Sequence, residues 1–275
     1  MKQKIKTIQN ILVFLILFMM INGTFAGMIL AHQKQPEPQA ELTIASVDEL
    51  MKEKSIENCH KAIKGYKLLL KKYPDNLEML HKIAHAYITI IDIKTYALIE
   101  EKDEYKPVLA KYGKIAYEYA EKAYKLNPNC REAVAAALVS YGYYSSSFGI
   151  VRAIFKGAAG HYKHLANRLI EIDDKFDGAL GYRSLGKLYE VSPWPVGSSR
   201  KALKYFKKAV DTDNSLLYSH YYLGLIYFDK GKYDLAKKEF EIVVTNSPHI
   251  GEKHFIAPYK ERAQRYLTKI ARISK

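Results

Sequence analysis

Apolar residues in the last third of the chain recur at intervals of three and four positions, the period that predicts helices packed along one face. In residues 217–250, LYSHYYLGLIYFDKGKYDLAKKEFEIVVTNSPHI, two such segments flank the turn FDKGKYD, where Gly231 lets the chain reverse. No Asn-Gly or Asp-Gly turn joins two segments of alternating polarity, so strand signals are almost absent. The pattern therefore predicts an all-α chain.

Small and large residues follow a fixed order in these two segments. In the first segment Gly224 is the small residue, with Leu223 before it and Tyr227 three positions after it. The second segment and its end carry Ala236, Phe240, Val243 and Pro248. This unit resembles the tetratricopeptide repeat (TPR), in which two antiparallel helices meet through small residues. The resemblance implies a superhelix of stacked hairpins, an α-solenoid, because one hairpin cannot bury its own apolar stripe.

The same spacing returns upstream, interrupted by insertions. One further unit carries Gly186, Tyr189, Ala202, Phe206 and Ala209. Earlier segments with the spacing of a single helix carry Ala62, Tyr66 and Leu69; Ala84 and Tyr87; and Ala116, Ala120 and Ala123. Residues 131–174 form a degenerate unit, and PYKERAQRYLTKIARISK from Pro258 predicts a capping helix that lets the stack end in water. We therefore assign residues 46–275 to one TPR-like repeat domain with insertions.

The N-terminus combines a basic start, MKQKIKTIQN, with an uncharged apolar run at residues 11–31. Residues 1–31 are typical of a secretory signal cleaved after Ala26, and also of an uncleaved membrane anchor, since about 20 apolar residues span a bilayer. Lysines before the run keep the N-terminus in the cytoplasm, so we expect the following residues to lie outside it, in the periplasm or cell envelope. Residues 32–45 are predicted to be a tether.

The formal net charge is +14, a balance that can attract nucleic acid, anionic lipid or an acidic partner. Lysines are mixed with acidic residues along helical faces, as in EKDEYK and KKEFE, and neither an Arg-rich run nor a nucleic-acid motif is present. We interpret the charges as solvated helix faces and expect no nucleic-acid partner.

The sequence shows no motif for catalysis or for a cofactor. His81 and His85 are four positions apart and His161 and His164 are three apart, but no third ligand accompanies either pair. Nucleophile-elbow, P-loop and dinucleotide-binding patterns are absent. We therefore expect a binding protein without metal or cofactor, not an enzyme.

The insertion at residues 141–160, YGYYSSSFGIVRAIFKGAAG, is rich in aromatic residues. Its candidate contact residues are Tyr141, Tyr143, Tyr144, Phe148, Arg152 and Phe155. One interpretation is a helix–turn–helix linker whose aromatic side chains fill the core. The other is an aromatic wall of a pocket, in which Arg152 supplies one charge for an anionic group. The sequence leaves both interpretations open.

Two other insertions interrupt the repeats. Residues 90–113 are expected to lengthen a helical hairpin or to add a short helix. SPWPVGSS, residues 192–199, holds Trp194 between two prolines, which present the indole rigidly. The indole is either an anchor folded onto its own hairpin or a contact residue for a partner, and we favour the anchor.

A Leu-Gly-x-x-Tyr helix, a Pro/Gly loop and a Lys-Ala-x-x-Tyr-Phe helix follow one another in LIEIDDKFDGALGYRSLGKLYEVSPWPVGSSRKALKYFKKAVDTDN. With this order, residues 165–248 resemble the T component of tripartite ATP-independent periplasmic (TRAP) transporters. The resemblance implies an exported helical protein that associates with the transporter's substrate-binding protein around an apolar pore. The lipidated Cys of that family has no counterpart here.

Two functions follow from these observations. The first is an interaction scaffold or accessory subunit of an envelope complex, anchored through the N-terminal helix and bound to another protein. The second is a ligand-handling accessory protein of a TRAP-type transporter, whose aromatic insertion encloses an apolar small molecule. The scaffold predicts an open groove of polar and aromatic residues. The ligand-handling protein predicts a closed cavity around Tyr143, Phe148 and Phe155.

Overall fold

The computed structural model describes residues 42–273, and every regular element in this part of the chain is helical. The helices are α1 (Ile44–Asp48), α2 (Ile56–Lys72), α3 (Leu77–Thr95), α4 (Lys106–Val108), α5 (Lys114–Leu126), α6 (Arg131–Ser146), α7 (Ile150–Phe155), α8 (Ala158–Ile172), α9 (Phe176–Val191), α10 (Ser199–Thr212), α11 (Leu217–Asp229), α12 (Tyr233–Thr245) and α13 (Ala257–Ile273). Single 3₁₀ turns occupy Glu49–Met51 and Asp103–Tyr105, and a π-helical turn occupies Leu109–Gly113. The predicted all-α class is confirmed.

The predicted N-terminal signal or anchor, with its apolar run at residues 11–31, lies outside the described residues. Most of the predicted tether at residues 32–45 also lies outside them, and its last two positions belong to α1, which begins at Ile44. Between residues 42 and 273, no helix is long and apolar enough to cross a bilayer.

The helices pack as consecutive hairpins. Helix α3 packs against α5, α6 against α8, α9 against α10, and α11 against α12, while α2 covers the first hairpin and α13 covers the last. Neighbouring hairpins meet through α5 and α6, α8 and α9, and α10 and α11. This order confirms the predicted stack of TPR-like hairpins, and α13 is the predicted capping helix.

A glycine in the first helix of each of the last two hairpins lets the second helix approach closely. A Cβ placed on Gly186 would lie 2.8 Å from the ring of Phe206, and one placed on Gly224 would lie 2.8 Å from the ring of Phe240. Both phenylalanine rings are completely buried. These four residues are among those that the repeat spacing singled out. The contact explains the spacing, because a side chain at either glycine would push the two helices apart.

The first insertion changes the chain in both of the ways that the sequence predicted. It extends α3 to Thr95, and it adds the short helical turns between Asp103 and Gly113 before α5 begins. Tyr96 ends α3 in the left-handed backbone conformation, with φ +52°. The chain therefore leaves α3 sharply, and the loop after it projects toward the last helix.

The stack closes on itself because α13 reaches back to the loop after α3. The hydroxyl of Tyr259 donates a hydrogen bond to the carbonyl oxygen of Ala97 at 3.3 Å, and Arg262 forms an ion pair with Glu100. Tyr259 is completely buried, whereas the Arg262 and Glu100 side chains are about one third exposed. We call these four residues the closing seam. Because of the seam, the inner face of the repeats surrounds a cavity.

Candidate functional site

The cavity inside the closed stack has a volume of about 560 Å³. Its walls are formed by α3, α6, α8 and α9, with α7 on one side and the loop before α13 on another. Apolar side chains cover most of the lining, among them Ile88, Leu98, Val139, Ile154, Leu180 and Phe255. This size and this largely apolar lining are typical of sites that bind small molecules.

Tyrosines from three helices line the cavity. They are Tyr141 and Tyr143 on α6, Tyr162 on α8 and Tyr218 on α11. Withdrawal from bulk water raises the pKa of the hydroxyls of Tyr143, Tyr162 and Tyr218, and the nearby carboxylate of Asp92 raises that of Tyr143 further. The three hydroxyls are therefore un-ionised near neutral pH, and each places a hydrogen-bonding group on an apolar wall.

One part of the lining, which we call the polar wall, consists of His85, Asp92, Tyr143 and His254. The Tyr143 hydroxyl donates a hydrogen bond to Oδ1 of Asp92. Nε2 of His254 lies 3.7 Å from Oδ2 of the same carboxylate, which is too far for a hydrogen bond. His85 is accessible from the cavity, but the surrounding protein, helped by the charge of Lys54, lowers its pKa to about 4. His85 is therefore uncharged near neutral pH.

Several basic side chains at the cavity are already paired within the protein. The pairs and their N–O distances are Lys82–Glu78 (2.8 Å), Lys187–Glu190 (3.1 Å) and Arg183–Asp177 (3.3 Å). Lys54 also lines the cavity and forms no ion pair with the described residues. An anionic guest would therefore have Lys54 as its first available counter-ion.

The structure divides the predicted contact residues of the second insertion into two groups. Tyr141 and Tyr143 line the cavity. Phe148 and Phe155 do not, and they lie on the outside of the domain, so the cavity is not built around these two phenylalanines as the ligand-handling hypothesis expected. Tyr144 packs edge-on against Phe148, with ring centroids 5.1 Å apart.

We use the name outer patch for the exposed apolar residues Phe148, Val151 and Phe155 of the second insertion and Trp194 of the third. Phe155 is 87% exposed and Trp194 is 88% exposed. The interpretation of Trp194 as an anchor folded onto its own hairpin is therefore wrong. The second and third insertions meet here, because a surface depression is lined by Phe148, Arg152 and Phe155 together with Pro193.

Helix α7 separates the cavity from the outer patch. Ala153 and Ile154 line the cavity, whereas Val151 and Phe155 line the outer depression. The helix lies between Gly149 and Gly157, which both have φ +81° with no atom within 4 Å of an added Cβ. Glycine is therefore required at both ends because of the backbone conformation, and not because a side chain would lack space. The second insertion is a helical linker, as one interpretation held, but its phenylalanines do not fill the core.

The two histidine pairs have different surroundings. His81 and His85 both line the cavity, whereas His161 and His164 each lie 3.2 Å from a tyrosine hydroxyl of α5. Within residues 42–273, no three side chains of His, Cys, Asp or Glu are arranged to hold a metal ion.

Two residues of the polar wall, Asp92 and His254, were not predicted from the sequence. Asp92 interrupts the apolar run ITIIDI of α3. An acidic residue within such a run is unusual, and assigning the residues of α3 to the faces of the helix could have revealed it. His254 lies in the loop before α13, where no repeat spacing applies. Only the closure of the stack brings the two together.

The stacked hairpins, the contacts between glycine and phenylalanine and the capping helix define a helical repeat protein with the tetratricopeptide-type fold. In agreement, a family model described as a tetratricopeptide repeat matches residues 218–249, within the unit from which the spacing was first read. A second family model, described as regulator of microtubule dynamics protein 1-3, matches residues 43–175, which is just under half of the chain.

One solved structure, TTC0263, shares the fold, and a second, MamA, is similar at a lower TM-score. TTC0263, a thermophilic TPR protein of Thermus thermophilus, is similar with a TM-score of 0.57 at 14% identity, over 82% of this chain and 97% of its own. MamA has a TM-score of 0.46 at 20% identity, over 83% of this chain and 97% of its own. Curated protein sequences give no match. The comparisons lend no support to the resemblance with the T component of TRAP transporters.

Proposed function

We propose that the chain is a binding protein that holds a small, mostly apolar molecule in the cavity lined by its repeats, without catalysing a reaction on it. The observation that carries this proposal is the closing seam, which turns the inner face of the stack into the wall of a cavity of about 560 Å³. An apolar lining with a few converging polar groups is what such a guest requires. This is the ligand-handling hypothesis without its assignment to a TRAP-type transporter.

We further propose that the domain acts outside the cytoplasm, in the periplasm or cell envelope, where the apolar run at residues 11–31 exports or anchors it. The support for this proposal is the sequence alone: a basic start followed by an uncharged run. Determining the N-terminus of the mature protein by mass spectrometry would test whether the run is removed. Recovery of the uncleaved chain in the soluble cytosolic fraction would contradict the proposal.

Filling the cavity tests whether it is the binding site. Val139 lines the cavity, and Val139→Trp places an indole in it. Leu126→Trp adds the same side chain at the end of α5, where Leu126 is 49% exposed and does not line the cavity. We expect organic extraction and mass spectrometry to find the same bound molecule in the wild type and in Leu126→Trp, and much less of it in Val139→Trp. Equal amounts in all three proteins would show that the cavity is not the site.

The outer patch favours a second candidate function, the docking of another protein. Stacked TPR-type hairpins are binding surfaces for protein segments, and exposed aromatic side chains are typical anchors of such contacts. With Phe155→Ser and Trp194→Ser, a pull-down from membranes should lose a partner that Tyr73→Ser retains, because Tyr73 is exposed elsewhere. Retention of every partner by all three variants would exclude docking at the outer patch. Loss of a partner in these variants would support the predicted function as an interaction scaffold.

A further inference from the structure

His254 stands out because it is almost completely buried and has no hydrogen-bond partner. Its side chain is 6% exposed, and neither Nδ1 nor Nε2 reaches a partner among the described residues. A buried ring nitrogen without a hydrogen bond is costly, so such groups in native proteins usually have a role. Other atoms of His254 line the cavity, and a molecule bound there supplies the partner once a shift of the ring brings a nitrogen to the cavity surface.

The carboxylate of Asp92 has one oxygen that is free to accept a hydrogen bond from the same molecule. Oδ1 accepts the hydroxyl proton of Tyr143, whereas Oδ2 faces Nε2 of His254 across 3.7 Å. The Asp92 side chain is only 15% exposed, so bulk water solvates it poorly. Once the ring has shifted to expose Nε2, a single polar atom beside this gap can hydrogen-bond to both residues at once.

The chemistry of the two residues selects the kind of group that fits. A ring nitrogen that faces a carboxylate carries its proton, because an unprotonated nitrogen would point a lone pair at an anion. The guest must therefore accept a hydrogen bond from His254 and donate one to Asp92. A hydroxyl group does both, an ammonium group only donates, and a carboxylate only accepts and is repelled by Asp92.

We infer that the cavity selects an alcohol, a molecule with an apolar body whose hydroxyl group is bound between Asp92 and His254. This inference rests on the proposed function, since it concerns the same cavity. Apolar lining residues such as Ile88, Val139 and Leu180 contact the body of the molecule. The hydroxyl of Tyr143 holds the carboxylate in place from the other side. His85 adds no charge to the polar wall near neutral pH, because its pKa is lowered to about 4.

A series of probes with one tail and different head groups tests the inference. The full chain is held in an amphipathic polymer in place of detergent, and 1-octanol, octylammonium and octanoate are titrated by calorimetry. One well-formed pair of hydrogen bonds in a buried site changes affinity by roughly tenfold. We expect 1-octanol to bind about tenfold more tightly than the two charged probes.

Two variants connect this preference to the polar wall. His254→Phe keeps an aromatic ring but removes both nitrogens, and Asp92→Asn keeps the shape but removes the charge. Each should abolish the preference for 1-octanol, whereas Lys54→Met should leave it unchanged. Thermal unfolding of each variant checks that the domain stays folded, and if one variant unfolds, the other decides.

Other results of the probe titrations would overturn the inference, and some would also overturn the proposed function. Equal binding of the three probes, or a preference that both polar-wall variants keep, overturns the selection of an alcohol but leaves the proposed function standing. Tightest binding of octanoate, lost in Lys54→Met, shows recognition of an anion and overturns the inference. Tightest binding of octylammonium shows that Asp92 acts as a counter-ion and also overturns it. If no probe binds, the proposed function fails as well.

Discussion

At the scale of single residues, a carboxylate from the loop before α13 caps a helix that begins far away in the sequence. Glu252 is 2% exposed, and its two oxygens accept the backbone N–H groups of Leu217 at 3.0 Å and Tyr218 at 2.8 Å. These groups belong to the first turn of α11, where a helix has no internal acceptors. The N-cap position, Leu216, has no side-chain oxygen to offer. Glu252 therefore replaces a local N-cap.

Removing this carboxylate should destabilise the domain. Glu252→Ala leaves two N–H groups without acceptors in a buried place, at a cost of about 1–3 kcal/mol. Glu252→Gln keeps one oxygen acceptor and should cost less. The measurement is the free energy of unfolding in urea, with Glu241→Ala as the exposed control, which should change it by less than about 0.5 kcal/mol. Equal values for Glu252→Ala and Glu241→Ala would show that the cap contributes nothing.

His220 should make the stability of the domain depend on pH. Its Nδ1 lies 2.6 Å from Oε2 of Glu239, and its Nε2 lies 3.1 Å from the carbonyl oxygen of Asn214. Burial alone would lower the pKa of His220, but the hydrogen bonds to these two acceptors and the charges of Glu239 and Glu252 outweigh burial and raise it. Both ring nitrogens donate to these oxygens, which requires the protonated imidazole.

The direction of the effect follows from this raised pKa. Because the pKa of His220 is higher in the folded than in the unfolded state, the stabilisation is complete below the unfolded value of about 6.5. It is lost as the pH rises through the folded pKa. The stability difference between wild type and His220→Gln should therefore be large near pH 5.5 and smaller near pH 9, at roughly constant salt. The exposed His60→Gln serves as control, and an unchanged difference across this range would contradict the prediction.

At the scale of helices, the closest contacts lie between the two helices of a hairpin. A Cβ on Gly224 would lie 2.8 Å from the ring of Phe240, so Gly224→Ala should force the helices of the last hairpin apart. Overpacking of this kind costs about 1–3 kcal/mol. Gly160→Ala is the matched control, because an added Cβ on this glycine of α8 meets nothing within 4 Å. We expect it to leave stability unchanged or slightly raised, since alanine is the better helix former.

A second substitution makes this prediction specific. Phe240→Leu shortens the side chain that Gly224→Ala would touch, so the double variant should be less destabilised than the sum of the two single variants. Urea unfolding of the four proteins measures this coupling. Simple additivity would mean that Gly224 is required for a reason other than its contact with Phe240.

The helices were predictable because the signals that specify them are local. Gly186 and Gly224, with Phe206 and Phe240, lie within one hairpin each, and the spacing along the sequence records the contact directly. The prediction that Trp194 folds onto its own hairpin was wrong, because two flanking prolines fix the backbone but do not determine what the indole contacts. The polar wall was missed because His254 belongs to no repeat. Its contact with Asp92 depends on how the whole stack curves.

At the scale of the whole domain, closure is what distinguishes this chain from an open solenoid with a groove. A stack of hairpins has a superhelical curvature set by small rotations between neighbours, and no short segment of sequence encodes where its two ends come to lie. The contacts of Tyr259 with Ala97 and of Arg262 with Glu100 join positions that are 162 residues apart. Without them the polar wall would be incomplete, because His254 reaches Asp92 only when α13 is in place.

Reversing one charge should weaken the closing seam. Arg262→Glu places a second acid beside Glu100, so attraction becomes repulsion, although partial exposure limits the effect to about 1 kcal/mol. Hydrogen exchange measured by mass spectrometry should then show severalfold faster exchange in the loop after α3 and in the first turns of α13, with the hairpins between them unchanged. Arg265→Glu, three positions along α13, makes the same change in charge at an exposed arginine that forms no ion pair with the described residues. If the two variants exchange alike, the ion pair does not hold the seam, and the buried Tyr259 must hold the closed stack without it.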